Sequence, residues 1–137
     1  IYHSGAREKA ERYRVEPYVV AADVYSHGQH VGRGGWTWYT GSAGWMLQLG
    51  MEAILGLQRA GNVLRIEPCI PSGWPEYTLT YRQGGTVYRI RVENPEGVNR
   101  GVVRVMLDGE ELLEKVIPLS SDGRGHEVEV LLGRAEK

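Results

Sequence analysis

Phenylalanine is absent from this 137-residue chain, and cysteine occurs once, at Cys69. A single thiol excludes an internal disulfide and suits a reducing compartment. Neither sign of charge dominates: 16 Lys and Arg stand against 17 Asp and Glu, a net charge of −1. This balance leaves no basic footprint, so nucleic acid is not an expected partner. No run of about 18 apolar residues exists, so the segment is expected to make no direct membrane contact. No basic region followed by an apolar one marks a signal peptide. The first residue is Ile1, which reads as a piece cut from something longer.

What is present is a core-forming composition. Hydrophobic residues make up 42%, too many for a disordered segment. Tyr (8) and Trp (4) carry all the aromatic weight, and their polar tips suit wet or sugar-facing surfaces as well as half-buried sheet positions. The 19 glycines fit many turns rather than long helices.

The chain changes character near Gly61. Residues 6–14 read as an exposed helix with Arg7–Glu11 and Glu8–Arg12 spaced for i,i+4 pairing. Pro17 is placed to close it and open the next. The nearly all-apolar stretch 18–25 predicts a short helix buried on most sides. After a Gly-rich loop over 26–35, a second helix is expected over 40–59, ended by Gly61 at its C′ position. From Val63 onward the period is two. Strands over 76–83 and 86–93 flank Gly84-Gly85, a register that sets Tyr81 opposite Tyr88, Leu79 opposite Ile90 and Tyr77 opposite Val92. Asp108-Gly109 marks another tight turn after 102–107, and a last strand over 126–132 puts Val128, Val130 and Leu132 on one side. Five or six such strands predict a small antiparallel, jelly-roll-like sandwich over 62–137. The expected fold class is α+β, with helices over 1–61.

The run Trp36-Thr37-Trp38-Tyr39-Thr40-Gly41-Ser42-Ala43-Gly44 puts Thr, Gly and Ser at a helix start. The first backbone N–H groups there lack internal partners and carry partial positive charge. Gly41 would let an anion approach the backbone, and the Thr40 hydroxyl would add a donor, so together they can hold a phosphate. A simple N-cap role for Thr40 explains the same residues.

The segments Glu16-Pro17-Tyr18-Val19-Val20-Ala21-Ala22-Asp23, Gly32-Arg33-Gly34-Gly35 with the Trp36–Gly44 run and Trp45-Met46, Ile54-Leu55-Gly56-Leu57, and Pro68-Cys69-Ile70-Pro71 are similar to the C-terminal end of glycoside hydrolase family 94. That family holds cellobiose and chitobiose phosphorylases and the C-terminal part of cyclic β-1,2-glucan synthases. The resemblance covers about 16–132 and looks nearest to the glucan synthase branch. It implies that residues 1–61 are the last helices of an (α/α)6 catalytic barrel and 62–137 a C-terminal β domain. It also implies inverting phosphorolysis: a carboxylic acid protonates the glycosidic oxygen while phosphate attacks from the opposite face, in place of an activated water. The substrates would be a β-glucan oligosaccharide and inorganic phosphate, with no cofactor. The resemblance places Thr40 and Gly41 in the phosphate site. It puts the catalytic aspartate, and the arginine and histidine that help hold phosphate, upstream, so no catalytic residue is expected in this chain and the fragment alone is expected to be inactive. Related phosphorylases carry a glutamine where this sequence reads Ala22-Asp23. The segment would lie in a cytoplasmic, soluble portion, which in the synthase branch belongs to an inner-membrane protein.

Other candidates are weaker. Arg33 can pair with phosphate bidentately, or brace loop carbonyls or a carboxylate. Glu16 can meet sugar hydroxyls or simply favour a helix start. Trp36, Trp38 and Trp45 can stack on sugar rings or pack in a core. Asp23, His27 and His30 lack the fourth ligand that a metal site needs, so no metal is expected. Gly32-Arg33-Gly34-Gly35 follows no strand and has the wrong spacing for a dinucleotide fingerprint. Cys69 is expected to be a small buried hydrophobe. A different class of function remains alongside: a non-catalytic structural or carbohydrate-binding sandwich. Helices cut from a barrel would also expose apolar faces, so either partial disorder before about residue 36 or self-association of the fragment is expected.

Overall fold

The computed structural model describes residues 6–16, 19–37 and 40–134, with Thr40 described by its backbone alone. The chain divides into two compact units, Ile1–Gln48 and Leu49–Lys137.

In the first unit, α1 spans Arg7–Tyr13 and ends at Arg14, whose left-handed backbone (φ 53°) aims its N–H at the Ala10 carbonyl. The expected pairs form, Arg7–Glu11 at 2.8 Å and Arg12–Glu8 at 3.7 Å, all on exposed side chains. Such pairs contribute only a few tenths of a kcal/mol each, about 0.3–0.5. Pro17 and Tyr18 lie outside the described residues.

The helix expected over 18–25 does not form in its described part, residues 19–25. Residues 19–25 are extended and pair with 33–36: Ala22 N–H donates to the Trp36 carbonyl (2.8 Å), Gly35 N–H to that of Asp23 (2.9 Å) and Tyr25 N–H to that of Arg33 (2.9 Å). A bridge joins Val24 and Gly34, and a 3₁₀ turn at Gly28–His30 connects the two arms. A short apolar run does not by itself distinguish strand from buried helix, and the β-branched residues with a glycine-rich return segment tip it to strand. The glycines are needed. A Cβ on Gly34 would strike Val15 and Tyr13, and one on Gly35 would strike the Asp23 carboxylate.

Helix α2 begins at Thr40 and runs to Leu49, followed by a π-helical turn at Gly50–Ile54. It therefore stops short of the expected residue 59. The stop is Gly56, at φ 76°, where a Cβ would collide with the Glu67–Pro68 backbone. Glu67 N–H donates to the Gly56 carbonyl at 2.9 Å. Gly61 instead sits at φ 59° in the two-residue turn of a hairpin, between β1 (Leu57–Ala60) and β2 (Val63–Ile66).

The second unit is strand-rich, and the fold class is α+β with mostly antiparallel pairing. Besides β1 and β2, it holds β3 (Glu76–Gln83), β4 (Thr86–Glu93), β5 (Val102–Leu107), β6 (Glu110–Glu111), β7 (Ile117–Pro118) and β8 (Gly125–Leu132). Two sheets result, ordered β1-β2-β7 and β3-β4-β8-β5-β6. Eight strands among the described residues exceed the five or six expected, because β1, β6 and β7 are too short to show a period. The β3–β4 register matches expectation pair for pair: Tyr77 with Val92, Leu79 with Ile90, Tyr81 with Tyr88. Gly84 takes φ 57° at the first turn position, where a two-residue II′ turn demands glycine. One expectation needs correction: the sheet is not purely antiparallel, since β4 and β8 run parallel from Val87/Gly125 to Glu93/Leu131. Two strands 30 residues apart pair this way only through a long connection, which no local pattern announces.

Both sheets bury one shared cluster, as the faces of a sandwich do. Leu64, Ile66 and Ile117 come from the smaller sheet; Tyr88, Ile90, Val92, Val105, Val128, Val130 and Leu132 come from the larger. Tyr88 ties the two together, its hydroxyl accepting from Ser120 N–H at 2.7 Å and lying 3.3 Å from the Pro118 carbonyl. Buried Asn94 fixes the following loop by donating to the carbonyls of Trp74 (3.0 Å) and Val98 (2.9 Å) and accepting from Val98 N–H. Cys69 is exposed rather than buried; its neighbours Pro68 and Ile70 take the inward positions.

Candidate functional site

In the first unit the candidate residues gather on the two-armed segment and at the start of α2. The pairing of 22–25 with 33–36 fixes the backbone of Arg33 and Trp36 while their side chains point outward: Trp36 is 72% exposed. The Arg33 guanidinium has no hydrogen-bond or ion-pair partner among the described residues. Neither of its expected pairings, to loop carbonyls or to a carboxylate, is formed within them. Arg33 borders an open groove of about 520 Å³ together with Tyr25, His30, Trp36 and Thr37. Glu16 lies within 3.4 Å of the Thr37 hydroxyl, which donates to its carboxylate. That contact ties the chain before the arms to the approach of α2.

Trp38 and Tyr39 lie outside the described residues, as does the Thr40 side chain. The backbone of Thr40 opens α2, and the position a Cβ would take on Gly41 meets no atom within 4 Å. Glycine stands second in the helix, and first-turn N–H groups, which have no acceptor within a helix, are of the kind that bind an anion. Asp23, His27 and His30 do not converge, and no cluster able to hold a metal ion exists among the described residues. The Asp23 carboxylate instead lies against the backbone of Gly35.

The second unit holds a polar cluster that sequence reasoning missed. His126 on β8 places Nδ1 2.6 Å from Asp108 and Nε2 3.1 Å from Asp122. Two carboxylates on two ring nitrogens make both nitrogens donors, which is the imidazolium form. The Asp108 hydrogen bond accordingly holds the His126 pKa above the usual value, against the opposing effect of burial. Asp108 is lowered chiefly by His126, and Asp122 chiefly by the backbone N–H of Arg124. The imidazole ring stacks on Tyr88 at 5.1 Å. Thr86 and the turn around Gly123 complete the set: the Thr86 hydroxyl donates to Asp122 at 3.2 Å and accepts from Gly123 N–H at 2.9 Å. The cluster ties the Asp108 turn and the Asp122–Gly123 turn to β8 and to Thr86 of β4. Burial also raises the Tyr77 phenol, which donates to the Leu55 carbonyl at 2.7 Å. A second groove, about 570 Å³, is bordered by Arg65, Arg100 and Lys115 and by Glu67 and Glu114. Its charges nearly cancel, and Lys115 is already bonded to the Val102 carbonyl.

Comparison with known proteins bears on the first unit. Residues 2–56 match the family described as "Glycosyl hydrolase 94 superfamily, catalytic domain". The cyclic beta-(1,2)-glucan synthase NdvB of Rhizobium meliloti (strain 1021) is 50% identical over 105 residues, 77% of this chain and 4% of that protein. A 3-O-beta-D-glucopyranosyl-beta-D-glucuronide phosphorylase of Paenibacillus borealis is 44% identical over 93 residues, covering 68% and 12% respectively. An N,N'-diacetylchitobiose phosphorylase of Vibrio proteolyticus is 36% identical over 124 residues, covering 90% and 15%. The chain thus spans only a small part of each relative. No helix among the described residues is long and apolar enough to cross a membrane. The family match falls on the segment carrying the two arms and α2, and the relatives align over most of this chain, so the chain belongs to the glycosyl hydrolase 94 superfamily.

Proposed function

We propose that this chain is the C-terminal part of an enzyme that makes or breaks β-glucosidic bonds by inverting phosphorolysis or transfer, and that Thr40 and Gly41 form one wall of its phosphate site. The observation that carries the reading is Gly41 in the first turn of α2, its Cβ position meeting no described atom within 4 Å, inside the 2–56 segment that matches the family's catalytic domain. In the full enzyme the helical segment would close an (α/α)6 barrel, and the strand-rich unit would be its C-terminal cap with a jelly-roll-like layout. Substrates would be a β-glucan oligosaccharide and inorganic phosphate, with β-1,2-glucan favoured by the synthase among the relatives.

The chemistry needs three things: an acid to protonate the leaving oxygen, phosphate held behind the anomeric carbon, and exclusion of water. As the phosphate oxygen bonds to that carbon, the glycosidic C–O bond breaks and the acid's proton goes to the departing sugar. The backbone N–H groups at α2's start, with the Thr40 hydroxyl, supply donors that fix the phosphate and leave its attacking oxygen directed at carbon. The acid comes from outside this chain, so the segment positions one reactant and is not itself a catalyst. Arg33 and Glu16 stand on the approach to that turn as candidate contacts to phosphate or sugar.

The reaction class is tested by incubating the longer enzyme carrying this segment with a β-1,2-linked oligosaccharide and phosphate while following products by proton NMR. Inverting phosphorolysis gives an α-glucosyl phosphate and no free reducing sugar from the donor ring. Phosphate-independent release of glucose would refute it.

A further inference from the structure

The larger sheet ends at one side on β6, two residues long, and at the other on β3, eight residues long. The smaller sheet ends on β1 and β7, of four and two residues. Short edges leave little backbone to template another strand, and long ones are commonly guarded by charge, proline or a bulge. Between its charged ends, Glu76 and Arg82, β3 carries neither charge nor proline, and it pairs with β4 without a register shift. Its hydrogen-bond alternation can be read from its two ends. Asn94 N–H donates to the Pro75 carbonyl at 2.7 Å, and Gln83 faces Thr86 across the two-residue turn. The backbone groups of Tyr77, Leu79, Tyr81 and Gln83 are therefore directed at β4, and those of Glu76, Thr78, Thr80 and Arg82 at the outer edge. No strand among the described residues takes them.

The strand reads alike in both directions about Leu79. Thr78 and Thr80 flank it, then Tyr77 and Tyr81, then Glu76 and Arg82, which are opposite in charge. An antiparallel copy of β3, set with Leu79 against Leu79, puts Thr78 opposite Thr80, Tyr77 opposite Tyr81 and Glu76 opposite Arg82. In that register the outward backbone groups meet as hydrogen-bonded pairs, and opposite charges face each other at both ends. Sliding either strand to the next register that keeps the faces aligned separates the charges. The side chains are available for it. Arg82 is exposed, and its guanidinium has no hydrogen-bond or ion-pair partner among the described residues. Arg91 bonds Glu76 through Oε2, which leaves Oε1 for a second cation. On the inner face Tyr77, Leu79 and Tyr81 are only half-buried, as befits an edge that awaits a neighbour. We propose that β3 is a self-complementary edge through which two copies of this chain join, antiparallel about Leu79, into one continuous sheet. A two-fold contact of this kind uses the same surface on both copies and closes at two. Nothing in it depends on phosphate or sugar.

Two single-cysteine forms of the 137-residue chain test the register, Thr78→Cys and Thr80→Cys, each with Cys69→Ser so that no other thiol is present. Opposed residues of a hydrogen-bonded pair have Cα atoms about 5.5 Å apart, within disulfide reach. Thr78 and Thr78 of the second copy would stand about 8 Å apart, beyond it. Mixing the two forms in a glutathione redox buffer is expected to give the mixed 78–80 disulfide in roughly tenfold excess over either homodisulfide. Amide hydrogen exchange in the unaltered chain reads the same contact: the Thr78 and Thr80 N–H groups should slow by roughly tenfold or more as the chain is concentrated. Thr80→Pro removes an outward donor and leaves the β4 ladder whole, while Arg82→Glu sets like charges opposite each other at both ends. Both are expected to abolish the slowing at Thr78. Cross-strand nuclear Overhauser contacts between β3 and β4 in each variant verify that the hairpin has kept its fold. Association through the exposed apolar residues of α2 leaves these amides and this register unaffected. Statistical yields of the three disulfides would overturn the proposal, as would exchange at Thr78 and Thr80 that is independent of concentration.

Discussion

His126 offers a perturbation whose sign and size can be worked from geometry. The ring is only 15% exposed and bridges Asp108, in the β5–β6 turn, to Asp122, before β8. Replacing it by Ala removes two charge-assisted hydrogen bonds and the stack on Tyr88. Hydrogen bonds involving charged groups are worth more than neutral ones, but Asp108 is 48% exposed and solvent weakens its share. The expected loss is about 1–3 kcal/mol, on the order of 1 M in urea midpoint. The pH dependence follows from linkage. The folded His126 pKa is raised, so its contribution is complete below the ordinary imidazole value of about 6.5 and is lost as pH rises through the folded pKa. Asp108 and Asp122 are lowered, so theirs is present above the ordinary carboxylate value of about 4 and lost as pH falls through the folded one. Stability from this cluster should peak between those two ordinary values. Urea unfolding followed by Trp fluorescence from about pH 5 to 9 measures it, with the ring C–H proton shifts of His126 reporting its titration. The unaltered chain should lose midpoint on the alkaline side and His126→Ala should not. Equal alkaline slopes, or a His126 titration at or below the ordinary value, would refute the reasoning.

Other expectations follow from single contacts. Gly56→Ala should destabilise the second unit by well over 1 kcal/mol in urea titration, since both its positive φ and the Glu67–Pro68 backbone oppose a side chain. Asn94→Ala leaves three buried backbone partners unsatisfied and should cost roughly 2 kcal/mol or more, measured the same way. Ile90→Ala, at a fully buried position shared by both sheets, should cost about 2–5 kcal/mol. Trp45, Leu47 and Leu49 stand exposed along α2, so the isolated chain should self-associate with rising concentration, and Leu47→Lys should suppress it in sedimentation velocity.

The sequence made some of this legible, for physical reasons. The β3–β4 hairpin could be placed to the residue because a two-glycine turn and an alternating pattern specify one register jointly. The Asp108-Gly109 turn was equally plain, both residues taking positive φ, 52° and 87°. Residues 57–59 read as helix because they are good helix formers, while the Gly56 collision with the Glu67–Pro68 backbone ends the helix and β1 begins. The stretch 18–25 reads as helix because the segment that residues 22–25 pair with is glycine-rich and has no period of its own. At the candidate site, Thr40, Gly41 and Arg33 could be named from order and type. The grouping of Tyr25, His30 and Trp36 about Arg33 could not, since it depends on the two arms pairing. His126 was invisible for a related reason: its partners sit 18 and 4 residues away and meet only when β8 enters the sheet.

In the proposed function, α2 begins at a phosphate. Its most direct test is Thr40→Val in the longer enzyme, which keeps side-chain volume and removes one donor. Initial rates of glucosyl phosphate formation are measured against phosphate at saturating oligosaccharide, then against oligosaccharide at saturating phosphate. The apparent KM for phosphate is expected to rise roughly ten- to hundredfold, with that for sugar unchanged. An unchanged phosphate KM would contradict it.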